Sequence, residues 1–439
     1  MRKLSQNCYY YLLLIAATLF IFPLGAQEIQ LTSDTHHHYD PEWSPDGGEI
    51  VYDKLDGTGF RQIYKIPSAG GAEIRLTSDL YDHVTAECSF NGSEIGYAKL
   101  DGTAFSQIYK IASGGGTETA LTSDFYDHLD PQWSHDGSEI VYVKNMGGFL
   151  QIYKIPSGGG TETALTSDAN DHSYPEWSPN DNEIAYHKLD GTAFEQIYKI
   201  SSSGGSEIGL TSSFHDSRYP QWSPNGSEIV YQKMDATVYW QIYKIPSTGG
   251  TETSLTNDLY DHIHPQWSPS GNEIAYQKRN ITGFDQIHKI SSSGGTETPL
   301  TNDSHDHVYP QWSPDGSEIV YMKHDVTGFW QIYKVSSARL CETKIAPSEF
   351  FYLSVTPTVS SGNIFISYNI TRKNYVSLRI YDTTGRMVKE LQKNEVDPGN
   401  YTVTWDRSNH SGERCESGVY FIKLKCGELS KTEKVVLLK

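Results

Sequence analysis

The sequence predicts an all-β protein: a seven-bladed β-propeller followed by a small immunoglobulin-like β-sandwich. Three observations carry the prediction. From Leu31 to Lys344 one sentence of text is repeated seven times, each copy opening on Leu-Thr at Leu31, Leu76, Leu121, Leu165, Leu210, Leu255 and Leu300, in steps of 45, 45, 44, 45, 45 and 45 residues. Each copy holds four strand-like runs, and a period of about 40–45 residues with four strands per unit marks a propeller blade. After residue 347 the period stops, and alternating runs divided by Gly, Asn and Asp turns take over, the pattern of a small antiparallel sandwich. The expected division is a signal peptide over 1–26, the repeat array over 27–347 and the sandwich over 348–439.

The chain opens on a secretory signal. Arg2 and Lys3 form a basic start, Tyr9 to Phe22 an apolar stretch, and Leu24-Gly25-Ala26 a small-residue ending before Gln27. A membrane anchor competes with this reading, but the apolar run is short of the roughly 20 residues a span needs. Cys8 precedes that run, so it is not placed like a lipid-modified cysteine, and no later segment is apolar enough to cross a bilayer. The mature chain is expected to be secreted or held at the cell surface, with the periplasm as the alternative. Residues 27–347 carry 20 Lys+Arg against 44 Asp+Glu, and residues 348–439 carry 13 against 10. An array that acidic repels phosphate backbones, which argues against nucleic acid. The charge suits solubility or a basic partner.

The third copy shows how a blade is written. Asp130-Pro131-Gln132-Trp133-Ser134 is the innermost strand, and His135-Asp136-Gly137-Ser138 its turn; other copies read SPDG, SPNG or SPND here. Glu139 to Lys144 is the second strand, Gln151 to Pro156 the third, and Thr161 to Thr166 the outer one. Apolar residues on both faces of the second and third strands suit sheets stacked between sheets. A Trp column, Trp43, Trp133, Trp177, Trp222, Trp267 and Trp312, supplies the largest inner residues; the second copy departs, with Ala86-Glu87-Cys88-Ser89-Phe90 in place of P-x-W-S-P. That blade is expected to pack less well, or to have its gap filled by something else. Eight segments compete to be the seven outer strands. Glu28 to Thr32 (EIQLT) matches Glu73 to Thr77 (EIRLT), whereas Glu342 to Ala346 (ETKIA) lacks the Leu-Thr. The N-terminal segment is therefore expected to pair with Gln331 to Val335 and close the ring, which leaves no long exposed edge.

The run D-x-x-P-x-W-S-P-D-G-x-x-I-x-Y, then Q-I-Y-x-I and a closing L-T, resembles the TolB/tricorn-type β-propeller repeat over about 320 residues. TolB proteins carry an α/β domain before the propeller and dock to the lipoprotein Pal; only Gln27 to Gln30 stand between the expected signal and the first Leu-Thr here, so the docking role does not carry over. In the last 75 or so residues, V-x-L-x-I-Y-D-x-x-G-R-x-V (Val376–Val388), G-x-Y-x-x-x-W-D (Gly399–Asp406) and S-G-V-Y-F (Ser417–Phe421) resemble FlgD-type immunoglobulin-like modules and, equally, the C-terminal sorting domain of type IX secretion substrates. The resemblance implies a secretion or surface-attachment partner. The Asn-Pro-Phe-type text common near the start of such domains is replaced by Ser354 to Gly362.

Four cysteines follow the signal: Cys88, Cys341, Cys415 and Cys426. They do not repeat with the blades and make no zinc spacing. Cys415 and Cys426 flank an apparent strand, Gly418 to Lys425, whose eight residues span roughly 26 Å, so the two are not expected to pair.

No G-x-S-x-G or H-E-x-x-H occurs, and no cofactor is implied. One column suggests a metal: His38, His83, His128, His172, His262 and His307, with Ser217 in the fifth copy, each preceded by Asp except for His37 in the first. A column repeated in nearly every blade more simply does one local job, such as bonding the loop before the inner strand. On that reading it is a surface-exposed ring, and removing His128 and His172 together costs about 1–2 kcal/mol. The lysines closing each second strand, such as Lys144, read as braces for the Asp residues. Binding is expected where the copies disagree. One such column is Arg61, Ser106, Leu150, Glu195, Trp240, Asp285 and Trp330; the other is Asp40, Thr85, Asp130, Tyr174, Tyr219, His264 and Tyr309. Both loops they adjoin share one face of a propeller, so both are expected on one rim, where exposed Trp and Tyr suit sugar or peptide contacts. Three readings follow: a non-enzymatic exported protein binding a protein, peptide or glycan; a propeller-type polysaccharide lyase holding a metal on the His ring; and a structural envelope component.

Overall fold

The computed structural model describes residues 28–338, apart from 280 and 282, and 353–438, apart from 357, 358, 361, 371, 372, 398 and 428. The signal segment and Glu342 to Ala346 lie outside the described residues. The chain divides into two compact units, after Cys341.

The first unit is built of seven four-stranded antiparallel sheets. In the third, His128–Trp133, Glu139–Asn145, Leu150–Pro156 and Thr163–Ala164 lie side by side in chain order. The outer strand is two residues long, shorter than its sequence suggests, because the Gly turn before it uses up the extended text. Thr166 then turns inward, and its hydroxyl accepts the Ile152 N–H at 2.9 Å in place of a ladder bond. Alternate residues of the middle strands serve opposite faces. Ile50 and Tyr52 pack with Trp43 against Val308, Val320 and Met322 of the last sheet, while Val51 and Ile63 pack against Ile95 and Tyr97 of the second. Each seam between sheets therefore has its own core, which explains apolar residues on both faces.

The inner strands of successive sheets meet, and the last meets the first. The tryptophans tie the seams: Trp177 Nε1 donates to Gln132 O at 3.1 Å, Trp222 to Glu176 O at 3.2 Å, Trp267 to Gln221 O at 3.2 Å and Trp312 to Gln266 O at 3.1 Å. Trp43 makes the same bond to Gln311 O of the last sheet, at 3.2 Å. The N-terminal segment completes that sheet: Ile29 pairs with Lys334 and Gln30 with Tyr333, and Thr32 Oγ1 accepts the Ile332 N–H at 2.9 Å. Closure through Glu28 to Thr32 is thus as the Leu-Thr match predicts.

The second sheet is the irregular one. Cys88 stands where an indole belongs, and a cavity of about 430 Å³ opens beside it. On its other side Trp133 drops toward Gly96, where a Cβ would lie 2.9 Å from Nε1; that nitrogen has no hydrogen-bond partner among the described residues.

The second unit is a sandwich. A three-stranded sheet (Leu353–Thr356, Ile364–Ile370, Gly399–Trp405) and a five-stranded one share a single core, in which Ile366, Tyr368 and Trp405 meet Leu378, Ile422 and Val435. Gly418–Cys426 is a strand, as expected.

Two outcomes test this account. Deleting residues 28–32 should lower the melting temperature by far more than any equal deletion in an exposed loop, because it removes the outer strand and the Thr32 bond of the last sheet together; an unchanged melt would refute closure through this segment. Amide exchange should be faster over Asp82 to Tyr97 than over the equivalent stretch of any other sheet, and uniform protection would show that the second sheet is not soft.

Candidate functional site

The repeated letters hold the array together. Each column histidine has no solvent exposure at all, so the expected surface ring is corrected: the imidazoles are interior. His128 Nδ1 lies 2.9 Å from Tyr126 O, in the loop before its strand, and its ring packs tilted against Tyr142 at a centroid distance of 5.4 Å. On the other side of the imidazole stand two carboxylates. His83 Nε2 is 3.4 Å from Glu118 and 3.7 Å from Asp79, and Lys99 Nζ pairs with both acids. The same Asp–His–Lys–Glu set recurs in six of the copies: at Asp34, His38, Lys54 and Glu73; Asp124, His128, Lys144 and Glu162; Asp168, His172, Lys188 and Glu207; and Asp258, His262, Lys278 and Glu297. In the last sheet the Glu is Glu28, 3.0 Å from His307 and paired with Lys323. The acids and the imidazole of one set have ligand atoms within 4.8 Å of one another. The lysine ammonium, however, already sits on both carboxylates, where a dication would be repelled.

The Asp before each histidine works between sheets. Asp82 Oδ1 accepts the Arg61 N–H at 2.8 Å, Asp171 that of Leu150 at 2.9 Å and Asp306 that of Asp285 at 2.9 Å. His37, the exception in the first copy, accepts the Trp330 N–H through Nδ1 at 3.1 Å. The Gln directly after the varying residue is structural too: Gln62 donates to Asp79 O and Tyr81 O, and Gln331 to Asp34 O and His36 O.

The varying letters lie where these bonds leave the side chains free. Every inner strand bulges, with two residues set against one on its neighbour, as Asp130 and Pro131 against Tyr142 between the Leu129 and Gln132 pairs. The bulged residue has positive φ in all seven sheets: Asp40 48°, Thr85 52°, Asp130 50°, Tyr174 54°, Tyr219 56°, His264 53° and Tyr309 56°. None is glycine, and all but Thr85 precede a proline. Tyrosine and threonine here are genuine outliers. The backbone N–H of the bulge reaches the previous sheet, as His264 N to Gln232 Oε1 at 2.9 Å and Tyr219 N to His187 Nδ1 at 3.4 Å.

Four of the seven form an aromatic arc. Ring centroids are 4.4 Å apart for Tyr174 and Tyr219, 4.9 Å for Tyr219 and His264, and 4.5 Å for His264 and Tyr309. Tyr174 and Tyr309 remain 43 % exposed. The rest of the circle is polar. Burial, then the charge of Asp40, pushes the Asp130 carboxyl up to about 6, and burial raises Asp40 against the pull of Arg61.

The second column begins the third strands at the same end of each sheet, and its members are half-buried. Arg61 lies 4.1 Å from the Tyr39 ring and 3.3 Å from Asp53. Glu195 pairs with Arg218 and lies 3.8 Å from His187, whose ring stacks on Tyr174 at 5.2 Å. The Arg218 guanidinium lies 5.2 Å from the Trp240 ring, and Trp330 meets His324 edge-on at 5.2 Å. Burial raises the Asp285 carboxyl. Leu150 packs into the core between the third and fourth sheets. The two columns therefore share one rim, joined through Asp53 and His187.

Sequence reasoning missed the residues beneath it. Asp53 is fully buried, and burial followed by the charge of Asp40 holds its carboxyl well above the usual range. The middle letter of P-x-W is Glu in some copies and Gln in others, and its acids lie near enough to interact: Glu176, from the fourth sheet, feels the charge of Glu42 in the first. Burial alone carries Glu42 to about 7; burial and then Glu42 carry Glu176 to about 8; Glu87 rises with them. These groups hold protons near neutral pH. The Glu/Gln variation of that letter was the available signal.

The paired acids have the opposite tendency. Burial pushes the Glu118, Glu162 and Glu297 carboxyls up, but hydrogen bonds from the neighbouring His and Lys outweigh it and hold them at about 2. Such carboxylates bind fewer protons folded than unfolded, so their stabilisation is complete above about 4.5 and is lost as the pH falls toward 2. The denaturant midpoint should fall through that window, and Lys99→Met should flatten the fall; a flat profile in the native chain would overturn the pairing. Each of His128→Ala and His172→Ala should cost about 2–4 kcal/mol, more than an exposed ring would, because each empties a buried site and strands a carbonyl.

The model of the family described as PD40, TolB beta propeller domain, matches residues 100–239 and 234–405, together more than half of the chain. No curated protein sequence matches it. Among solved structures, it is similar to an oligogalacturonate lyase in complex with manganese (TM-score 0.62, 14 % identity, 72 % of this chain and 94 % of that one). It is similar also to the oligogalacturonate lyase of Vibrio parahaemolyticus (0.61, 12 %, 72 % and 94 %), and to a puromycin-hydrolyzing peptidase of Mycobacterium tuberculosis (0.58, 12 %, 76 % and 58 %). At these identities the likeness is one of fold. Among the described residues no helix is long and apolar enough to cross a membrane. The matched repeats, folded as successive four-stranded sheets, place the chain in the TolB β-propeller domain family.

Proposed function

We propose that the protein is an exported, non-enzymatic binding protein whose seven sheets are the blades of one closed seven-bladed propeller. Its bulged rim takes a protein, peptide or glycan partner. One observation carries the reading: seven residues share the same strained backbone, yet their side chains differ. Structural demands are met by the repeated letters, so the rim side chains are free to be chosen for contact. The aromatic arc of Tyr174, Tyr219, His264 and Tyr309 offers ring faces and edges to a sugar ring or an aromatic side chain, and Trp240 and Trp330 of the second column add half-buried indoles. The C-terminal sandwich, by its resemblance to sorting and FlgD-type modules, directs secretion or surface attachment.

The test is binding of the full mature chain to glycan and peptide arrays, repeated with Tyr219→Ala. Loss of the central ring of the arc should weaken the selected ligand at least tenfold with an unchanged melting temperature. Ligands that bind equally well to the variant would place the site elsewhere. Stoichiometric tight manganese or zinc in the native protein, lost in His128→Ala, would favour the metal-dependent lyase reading instead.

A further inference from the structure

The seam between the first and second sheets is built for an indole that the chain does not supply. At the equivalent seam between the fourth and fifth sheets, Trp222 enters beside Ser178, Pro179 and Glu183, donates to Glu176 O and leaves a space of only about 120 Å³. Between the first and second sheets the same wall is present as Ser44, Pro45 and Glu49, but the indole is replaced by Cys88. The space grows to about 430 Å³ and runs inward to Val51 and Ile95, which are 2 % and 0 % exposed. No indole faces the Glu42 carbonyl, the counterpart of Glu176 O. Phe90 lines the space without filling it: it is 45 % exposed, and its ring lies tilted against His135 of the third sheet at a centroid distance of 4.2 Å. Both residues replace the proline of the S-P-D-G turn, so Phe90 borders the mouth with its ring engaged by its neighbour.

The geometry points to a ligand site in this slot for an indole group: a flat bicyclic ring with one N–H donor, whether of a small molecule or of a tryptophan side chain on a partner. Its walls match those that hold Trp222 between the fourth and fifth sheets, and the Glu42 carbonyl holds the place of the carbonyls to which the indoles of the other seams donate. An apolar cavity of about 150 Å³ is enough to take benzene, so a bicyclic ring has room here. The slot lies at the turn end of the sheets, opposite the bulged rim, and does not depend on the function proposed for that rim.

Titration calorimetry of the full mature chain with free indole and with N-acetyl-tryptophanamide tests the assignment. One site per chain is expected for at least one of the two: binding of the amide identifies a tryptophan side chain as an acceptable source, and binding of indole alone a small molecule. Benzothiophene, of the same shape but without the N–H, should bind at least tenfold more weakly. Cys88→Trp should fill the slot, abolish binding and raise the melting temperature. Should that variant not fold, alkylation of Cys88 in the native chain, followed by peptide mass, decides: saturating indole should slow it at least fivefold. Absence of binding by both probes, binding undiminished in a folded Cys88→Trp, or alkylation unaffected by indole would each overturn the assignment.

Discussion

The interaction on which the array depends is a lysine ammonium held between two carboxylates at the mouth of a buried histidine. Taking such charges from water is costly, and the cost is met only when every group has a partner. Here each one does. The lysine closes the second strand, the aspartate belongs to the loop before the inner strand, and the glutamate precedes the outer strand. One set therefore ties together the parts of a sheet that backbone ladders leave loose. The outer strands are two residues long, too short to hold by ladder bonds alone. In the last sheet the glutamate is Glu28, so the same ion pair that finishes a blade also joins the two ends of the repeat array. The fifth copy shows that the set behaves as a unit: Asp and His are both replaced by serine, Ser213 and Ser217, while Lys233 keeps Glu252.

Much of this was legible because the repeat is written in a fixed alphabet. The period places seven sheets, and the EIQLT match places the closing strand against Gln331 to Val335. The burial of the histidines was not legible. A polar letter repeated in every copy looks the same whether it faces water or the interior, and what buries His83 is Glu118, 35 residues on, while for His307 it is Glu28, 279 residues back. The bulge was hidden for a different reason. Residues before proline are steered toward extended backbone, so six of the seven strained positions read locally as ordinary strand. Only the neighbouring sheet, through bonds such as His264 N to Gln232, holds them in the left-handed region.

The second sheet shows how far the repeat tolerates error. Loss of its Trp was plain in the sequence; the response on its far side was not. Gly96 reads as a weak residue in a strand, yet it is the absence of a Cβ there that lets Trp133 lie where it does. The two departures face opposite seams of one sheet. Since each seam has its own core, a defect at one is not passed around the ring, and the sheet keeps the same ladder register as its neighbours.

That independence is also what frees the rim. A bulged residue at φ near 50° costs on the order of 1–3 kcal/mol, and the array carries seven of them. Such a cost persists only where the surroundings over-determine it: proline removes the donor a bulge would orphan, the ladder resumes two residues later, and the backbone N–H is taken by the previous sheet. Because backbone and neighbouring repeats enforce the conformation, the side chain has no part in holding it. Aspartate, threonine, tyrosine and histidine all occupy it within 8° of one another in φ. A scaffold that fixes seven Cα–Cβ directions around an axis while leaving the seven side chains unconstrained separates folding from recognition. The acids below, Glu42, Glu87 and Glu176, show the limit of that freedom: these buried positions come from different sheets yet are not electrically independent, for the charge of Glu42 raises the carboxyls of Glu87 and Glu176 beyond what burial does.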